Sequence, residues 1–460
     1  MKFNLKRKDL YVVLSIFRLI NMSFNDAFLV RTRDSSDKAR QYLQGLLLNR
    51  GRGNCSRFAR KVRNCSSQAL QNFITDSPWN ERIVIGKIQR EVTRLIGDPV
   101  EGSIHIDETG FPKQGNCSVG VQRQYCGRLG KVDNCQVAVV LGYSHGTQRI
   151  LIDGQLYLPE DWAKSNKQRN KCKVPKDVRF KTKAQIGFEM ILNAQKNGVP
   201  FAWIGMDCFY GEQPWLRNKL DEEGLIFIAD IPRNTRVWLS QPKTGIPVRN
   251  GKRGRNPTRE RVLDEGSAPI EVQKIKDQID PAEWKRVPAR ETERKELKMD
   301  IACLRVYPVE NRLPGKELWL IIRKEVGQDT FKYQLTNAVL DTDIRKLAKM
   351  SCSRYWIERA IEDAKGVGSL EDYEARSWRS WHHHIAMVLL AMLAALMMQI
   401  ELGTKAEMLT LQDVKEILEV IMPKRDISDR EILEIIKAKH RSRLSARESH
   451  HRRSIAASMG

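Results

Sequence analysis

Ser103-Ile-His-Ile-Asp107 and Trp203-Ile-Gly-Met-Asp207 are two short apolar runs that each end in an aspartate. Short β-branched and aromatic runs of this kind predict strands. A carboxylate at the C-terminal edge of a strand suits a hard-cation site, because Mg²⁺ takes one or two carboxylates together with water and substrate phosphate oxygens. For either aspartate alone, a turn residue or a helix cap is the competing reading. Working outward, residues 118–125, 135–143 and 149–156 also have strand-like patterns. A helix over 183–197, closed by Gly198, leads into the second quoted run. Another helix over 213–223, closed by Gly224, leads into an apolar run over 225–230. Several strands followed by alternating helix and strand predict an α/β fold with a mixed sheet and helices on its faces.

The flanks differ from this centre. Residues 1–65 hold 15 Lys or Arg and 4 Asp, a local net of +11, with helix-like apolar spacing at Tyr42, Leu43, Leu46 and Leu47. A second helical pattern at Ile85, Ile88, Val92, Leu95 and Ile96 ends before Gly97. Between 231 and 341 Pro, Gly and charge interrupt the pattern. The stretch 249–261 carries six basic residues and Glu260, and strand-like runs return at 299–307, 318–324 and 331–335. Helices resume at 343–350, 354–366 and 378–401, and residues 440–460, with five Arg and three His, read as a mobile basic tail. The resulting division is a basic helical region over 1–99, an α/β domain in two parts over 100–230 and 342–402, a β-rich insertion over 231–341, and a helical C-terminal region with the basic tail over 403–460.

Composition narrows the function. With 79 Lys and Arg against 56 Asp and Glu in 460 residues, the net charge is +23, which argues against an ordinary metabolic enzyme and for a polyanionic partner, nucleic acid before membrane. The most lipid-like stretch, 385–398, has 14 apolar residues, short of the roughly 20 that cross a bilayer, and predicts a buried core helix. The first 20 residues have no small-residue cleavage site, and the nine scattered cysteines form no C-x-x-C pair, which predicts reduced thiols in a cytoplasm. The nine-residue recurrence of Cys117, Cys126 and Cys135 lacks partners at zinc spacing. Three successive histidines, 382–384, cannot face one ion and read as packing.

One further stretch bears on chemistry: Arg354-Tyr-Trp-Ile-Glu358-Arg-Ala-Ile-Glu362-Asp-Ala-Lys365. On a helix, residues 354, 358, 362 and 365 share a stripe, since residues three and four apart are neighbours. The stripe reads either as a solvated face with ion pairs or as one metal carboxylate flanked by cations for a phosphate backbone.

Together these pieces resemble a known family. Ile106-Asp-Glu-Thr-Gly-Phe-Pro-Lys113, Gly120-Val-Gln-Arg-Gln-Tyr-Cys-Gly127, Pro159-Glu-Asp-Trp162, and Asp207 ahead of Tyr210-Gly211 are similar to bacterial insertion-sequence transposases of the DDE superfamily. The nearer likeness is to the insertion-sequence group seven-zero-one, related to the branch with a Tyr-Arg-Glu-Lys signature. The likeness runs from Ser77-Pro-Trp79 to Trp381, about two thirds of the chain. It implies an RNase H-like catalytic domain, interrupted by a β-rich insertion ahead of the third carboxylate, with helical regions on either side. The implied triad is Asp107, Asp207 and Glu358, holding two Mg²⁺ ions for which Mn²⁺ can substitute. The signature's Arg and Lys fall on Arg354 and Lys365, and its Tyr position on Ser351, a departure. Lys113, Arg123, Arg128, Trp238, Arg253 and Arg255 are candidate DNA contacts, each weighed against a solvated charge or, for Trp238, a core residue. The implied function is cut-and-paste transposition: metal-dependent cleavage at transposon ends, then strand transfer. A homodimer would pair the terminal inverted repeats of double-stranded DNA and engage target DNA at the bacterial nucleoid, with no membrane partner. The alternative is a domesticated or inactive relative that only binds nucleic acid.

Overall fold

The computed structural model describes residues 3–31, 33–248, 256–264, 266–291, 296–372 and 374–458. The chain begins with α1 (Val12–Phe24), α2 (Ser36–Leu48), α3 (Cys55–Lys61), α4 (Ser67–Thr75) and α5 (Glu81–Ile96). Side chains of Asn54, Ser66 and Asn80 cap α3, α4 and α5 by accepting hydrogen bonds from backbone N–H groups left unpaired at the helix starts. Their basic residues stay outside while Leu43, Leu46, Leu47, Val84, Ile85 and Ile88 turn inward and are buried.

Five central strands follow: β1 (Ser103–Pro112), β2 (Lys131–His145), β3 (Gln148–Leu156), β4 (Trp203–Met206) and β5 (Phe227–Ile231). In space they run β3-β2-β1-β4-β5, with β2 antiparallel to both its neighbours and β1, β4 and β5 parallel. That order, with the second strand alone reversed, is the RNase H-like arrangement. The parallel crossovers are α6 (Lys183–Lys196) and α7 (Pro214–Glu222), which cover the sheet and leave β4 buried along its whole length. α6 lies so close to β1 that a Cβ on Gly187 would sit 1.7 Å from Ile106 Cδ1. A side chain there would force Ile106 out of its place in the core.

Residues 231–341, expected as a β-rich insertion, form β6 (Lys285–Glu291), β7 (Glu296–Glu310), β8 (Leu318–Glu325) and β9 (Lys332–Thr336), with shorter ladders between. They do not stand apart: β9 pairs antiparallel with β5, from Tyr333 opposite Ile231 to Thr336 opposite Ile228. The insertion therefore extends the central sheet, β5-β9-β8-β7, and stiffens the edge that carries β5.

The chain ends in α8 (Ile344–Cys352), α9 (Tyr355–Gly368), α10 (Trp378–Gly403), α11 (Leu411–Ile421) and α12 (Asp429–Ser458). α10 is apolar on all sides and long enough to cross a membrane, yet 83% of its most apolar window is covered by protein. It is the hub on which α1, α2, α4, α5, α9, α11 and β3 pack. The stretch read as a mobile tail falls in the distal half of α12, which is helical through Ser458 and exposed at nearly all its described residues.

One ion pair fastens the N-terminal helices to the sheet. Arg82 on α5 grips Asp153 on β3 through two hydrogen bonds of 2.7 Å, with the Asp153 side chain wholly covered and that of Arg82 39% exposed. Removing one partner of a fully buried pair costs about 3–5 kcal/mol. Water access at Arg82 reduces this, so Arg82→Ala is expected to destabilise by about 2 kcal/mol in urea unfolding. A loss below about 0.5 kcal/mol would mean the pair is solvent-screened.

Candidate active site

The parallel ladders that join β1, β4 and β5 stop at the same level, because Ile106 is in register with Met206 and Met206 with Ala229. The residue that follows on each strand is an aspartate, so Asp107, Asp207 and Asp230 line one edge of the parallel sheet. β1 is fully buried from Ser103 to Ile106, becomes half-buried at Asp107 and Glu108, and is buried again from Thr109 to Phe111. Asp207 also starts the short helix Cys208–Gly211, its Oδ1 accepting from Tyr210 N at 3.2 Å.

α9 brings the fourth carboxylate over this edge. Ile357 anchors the helix against β2 at a place where a Cβ on Gly142 would be 2.6 Å from Ile357 Cδ1. Arg354 is the N-cap residue and Glu358 lies in the first turn. The Arg354 side chain does not cap the helix. Its Nε is 3.0 Å from Asp230 Oδ2, one Nη is 2.5 Å from Glu358 Oε1, and the other is 3.6 Å from Asp107 Oδ2. A single guanidinium thus measures how closely three of the carboxylates converge. Gln334 on β9 donates to Asp230 Oδ1 at 2.6 Å and to Ser351 O at 3.0 Å, which ties the inserted strands to the site.

Electrostatics follow from this crowding. Burial, and next the Asp207 carboxylate, push Asp107 from 3.8 up to about 7. Burial raises Asp207 as well. Burial works against the Arg354 charge, but Asp230, Glu358, Asp107 and Asp207 together more than offset it and hold the guanidinium firmly protonated. Beside them, Lys183 on α6 pairs with Glu108 at 2.6 Å.

A family model described as DDE superfamily endonuclease matches residues 24–296, more than half of the chain. The chain belongs to the DDE superfamily of endonucleases. The matched span takes in Asp107, Asp207 and Asp230 and stops before α9, so the inclusion of Glu358 rests on geometry and on the motif. Part of the chain is 32% identical, over 177 residues, to a probable transposase for insertion sequence element IS701 of Microchaete diplosiphon. That alignment covers 38% of this chain and 43% of the relative, so the chain spans less than half the length of the curated relative it matches. A solved structure, a cryo-EM structure of a piggyBac transposase synaptic complex with hairpin DNA, aligns with 88% of this chain and 79% of that one, at 12% identity and a TM-score of 0.38, too weak a likeness to argue from.

For a member of the DDE superfamily the donor chemistry fits divalent metal, since carboxylate oxygens are the ligands of hard cations. As the side chains stand, no three His, Cys, Asp or Glu among the described residues are spaced to hold one ion. Arg354 lies between them.

The other expected contacts are scattered. Glu362 is turned away and pairs with Arg359. Lys365 reaches Glu371 at 2.9 Å, and Arg128 meets the same Glu371. Lys113 is largely covered, and burial lowers its ammonium pKa. Arg123 is exposed on the strand Gln122–Cys126. Trp238 is buried, its indole N–H donating to Ser267 O at 3.4 Å, the environment of a packing residue rather than a base-stacking one. Arg253 and Arg255 lie outside the described residues. Ser351, at the signature's Tyr position, is buried with its hydroxyl donating to Ala348 O. His382, His383 and His384 are buried, and the His383 ring stacks on Trp79 at 3.7 Å, consistent with packing. Asp230 was missed from sequence, although its run Phe227-Ile-Ala-Asp230 repeats the strand-then-aspartate signal of the other two.

Proposed function

We propose that this chain is a DDE transposase that cuts DNA at the ends of an insertion sequence and joins the freed 3′-OH to target DNA by a cut-and-paste route, as a homodimer on paired ends. The observation that carries the reading is the alignment of Asp107, Asp207 and Asp230 at one level of three adjacent parallel strands, where the ladders between them stop, beside Glu358. The likeness to a probable transposase for an insertion sequence supports it.

Asp107, Asp207 and Glu358 would hold the divalent ions, Mg²⁺ or Mn²⁺. When bound, such ions polarise the scissile phosphate and activate the attacking oxygen. The chain's own part is positional. The sheet fixes Asp107 and Asp207, while Glu358, with 49% of its side chain exposed, closes the site from a helix. The same edge would serve water attack first and 3′-OH attack second, because both are in-line displacements at phosphorus. A relative that only bound DNA would gain nothing from a covered Asp107 whose pKa is pushed up by burial and by the Asp207 carboxylate. The test is a supercoiled plasmid carrying the element's ends: Mg²⁺-dependent excision with sequenced junctions supports the proposal, and binding without strand cleavage favours the inactive relative.

DNA contacts are proposed for two basic segments, 249–261 and the distal half of α12. From Lys437 to Arg452, α12 carries six Lys or Arg, all exposed, against Glu448. Each neutralised phosphate contributes about −0.9 to the slope of log affinity against log salt on duplex DNA. Truncation after Ile436, or deletion of 249–261, is expected to flatten that slope by about 2–4. A slope unchanged by either deletion would make that segment a solvated surface.

A further inference from the structure

In the DNA-free protein the guanidinium of Arg354 occupies the space that the carboxylates surround. It is 2.5 Å from Glu358, 3.0 Å from Asp230 and 3.6 Å from Asp107, all through different nitrogens. Its side chain is 26% exposed, too covered to be a solvated surface pair. With Arg354 there, the acidic side chains are not spaced to share an ion. The sequence had suggested a different place for this residue, along the helix and reaching a neighbouring phosphate.

We propose that Arg354 is the resident counter-cation of the site and that divalent metal loads in competition with it. The inference rests on the site being a metal site, as proposed above. A planar fork with several N–H donors can satisfy three carboxylates at once, as a metal ion does. The three contacts are unequal. Asp230 is held by Gln334 on its other oxygen at 2.6 Å, so the Asp230–Nε contact is the fixed one. Glu358 is half-exposed at the start of a helix, and Arg354 is its one ion-pair partner among the described residues. Metal therefore exchanges with the contacts to Asp107 and Glu358, while Asp230 keeps the guanidinium beside the site, where a DNA phosphate can take it up. Asp230 becomes a positioning residue, and the protein limits metal occupancy until DNA offers Arg354 an alternative anion.

Binding of Mn²⁺ to the full-length, DNA-free protein, read from the electron paramagnetic resonance signal of free Mn²⁺, tests this without any turnover. Arg354→Gln is expected to tighten Mn²⁺ binding by about tenfold, within the usual range for coupled binding. Arg354→Lys keeps the charge but replaces the fork by a single ammonium, and is expected to tighten binding as well, by severalfold. Unchanged or weaker binding in a folded Arg354→Gln protein would overturn the proposal. Tightening by Gln with no change by Lys would also overturn it, since that pattern reports general charge rather than occupancy. Asp107→Asn separates the two levels: if it leaves Mn²⁺ affinity unchanged, the metal-site reading itself fails.

Discussion

Asp107→Asn, Asp207→Asn and Glu358→Gln are each expected to reduce DNA strand cleavage by at least about a thousandfold, roughly 4 kcal/mol of transition-state stabilisation, while affinity for end DNA stays within about threefold. The contrast follows from where the groups sit. Asp107 is covered at the sheet and Glu358 reaches it half-exposed from α9, whereas the basic surface proposed to meet phosphates belongs to other elements, α12 among them. Loss of an acidic ligand removes a contact to metal that matters most as charge develops at phosphorus. Single-turnover nicking alongside a binding isotherm measures both quantities. Glu362→Gln is the internal control, because its side chain pairs with Arg359 away from the cluster. Full cleavage by Glu358→Gln with loss in Glu362→Gln would move the third carboxylate one turn along α9.

The second large effect is on stability. Asp107 is raised from 3.8 to about 7 by burial first and the neighbouring carboxylate of Asp207 second. Between those two values the native state holds a proton that the unfolded chain has released, so the metal-free protein loses stability as pH rises from about 4 to about 7 and stays lower above. The full difference is roughly 4 kcal/mol. Asn at this position carries no charge at any of these pH values. The stability of Asp107→Asn relative to the parent in EDTA is therefore expected to grow by roughly 2–3 kcal/mol between pH 5 and pH 8. Urea midpoints at the two pH values read it directly. A difference that does not vary with pH would mean that Asp107 ionises normally in the folded protein.

Much of this site is legible in the sequence because its signals are local. An apolar run ending in aspartate marks Asp107 and Asp207, and Gly97, Gly198 and Gly224 mark the ends of three helices. An unbroken apolar run marks α10 as a core helix. What stayed hidden depends on pairing between distant residues. Nothing near Tyr333 says that it lies opposite Ile231, so the insertion's continuity with the central sheet could not be read. Asp230 was lost for a related reason: Ile231-Pro232 reads as a break in pattern, which draws attention away from the carboxylate before it. The fork of Arg354 is a tertiary fact as well. Helical spacing places the residue near Glu358, but only the sheet edge shows that the side chain turns inward onto Asp230 and Asp107.

In the proposed reaction these carboxylates would hold a metal ion at the scissile phosphate of DNA. A duplex carrying the element end, with one non-bridging oxygen of that phosphate replaced by sulfur, addresses it most directly. Sulfur is a poor ligand for Mg²⁺ and a better one for the softer Mn²⁺. In one of the two phosphorothioate diastereomers, cleavage should fall by at least about tenfold in Mg²⁺ and recover in Mn²⁺, relative to the all-oxygen duplex in the same metal. Equal sulfur effects in both metals, for both diastereomers, would contradict the account.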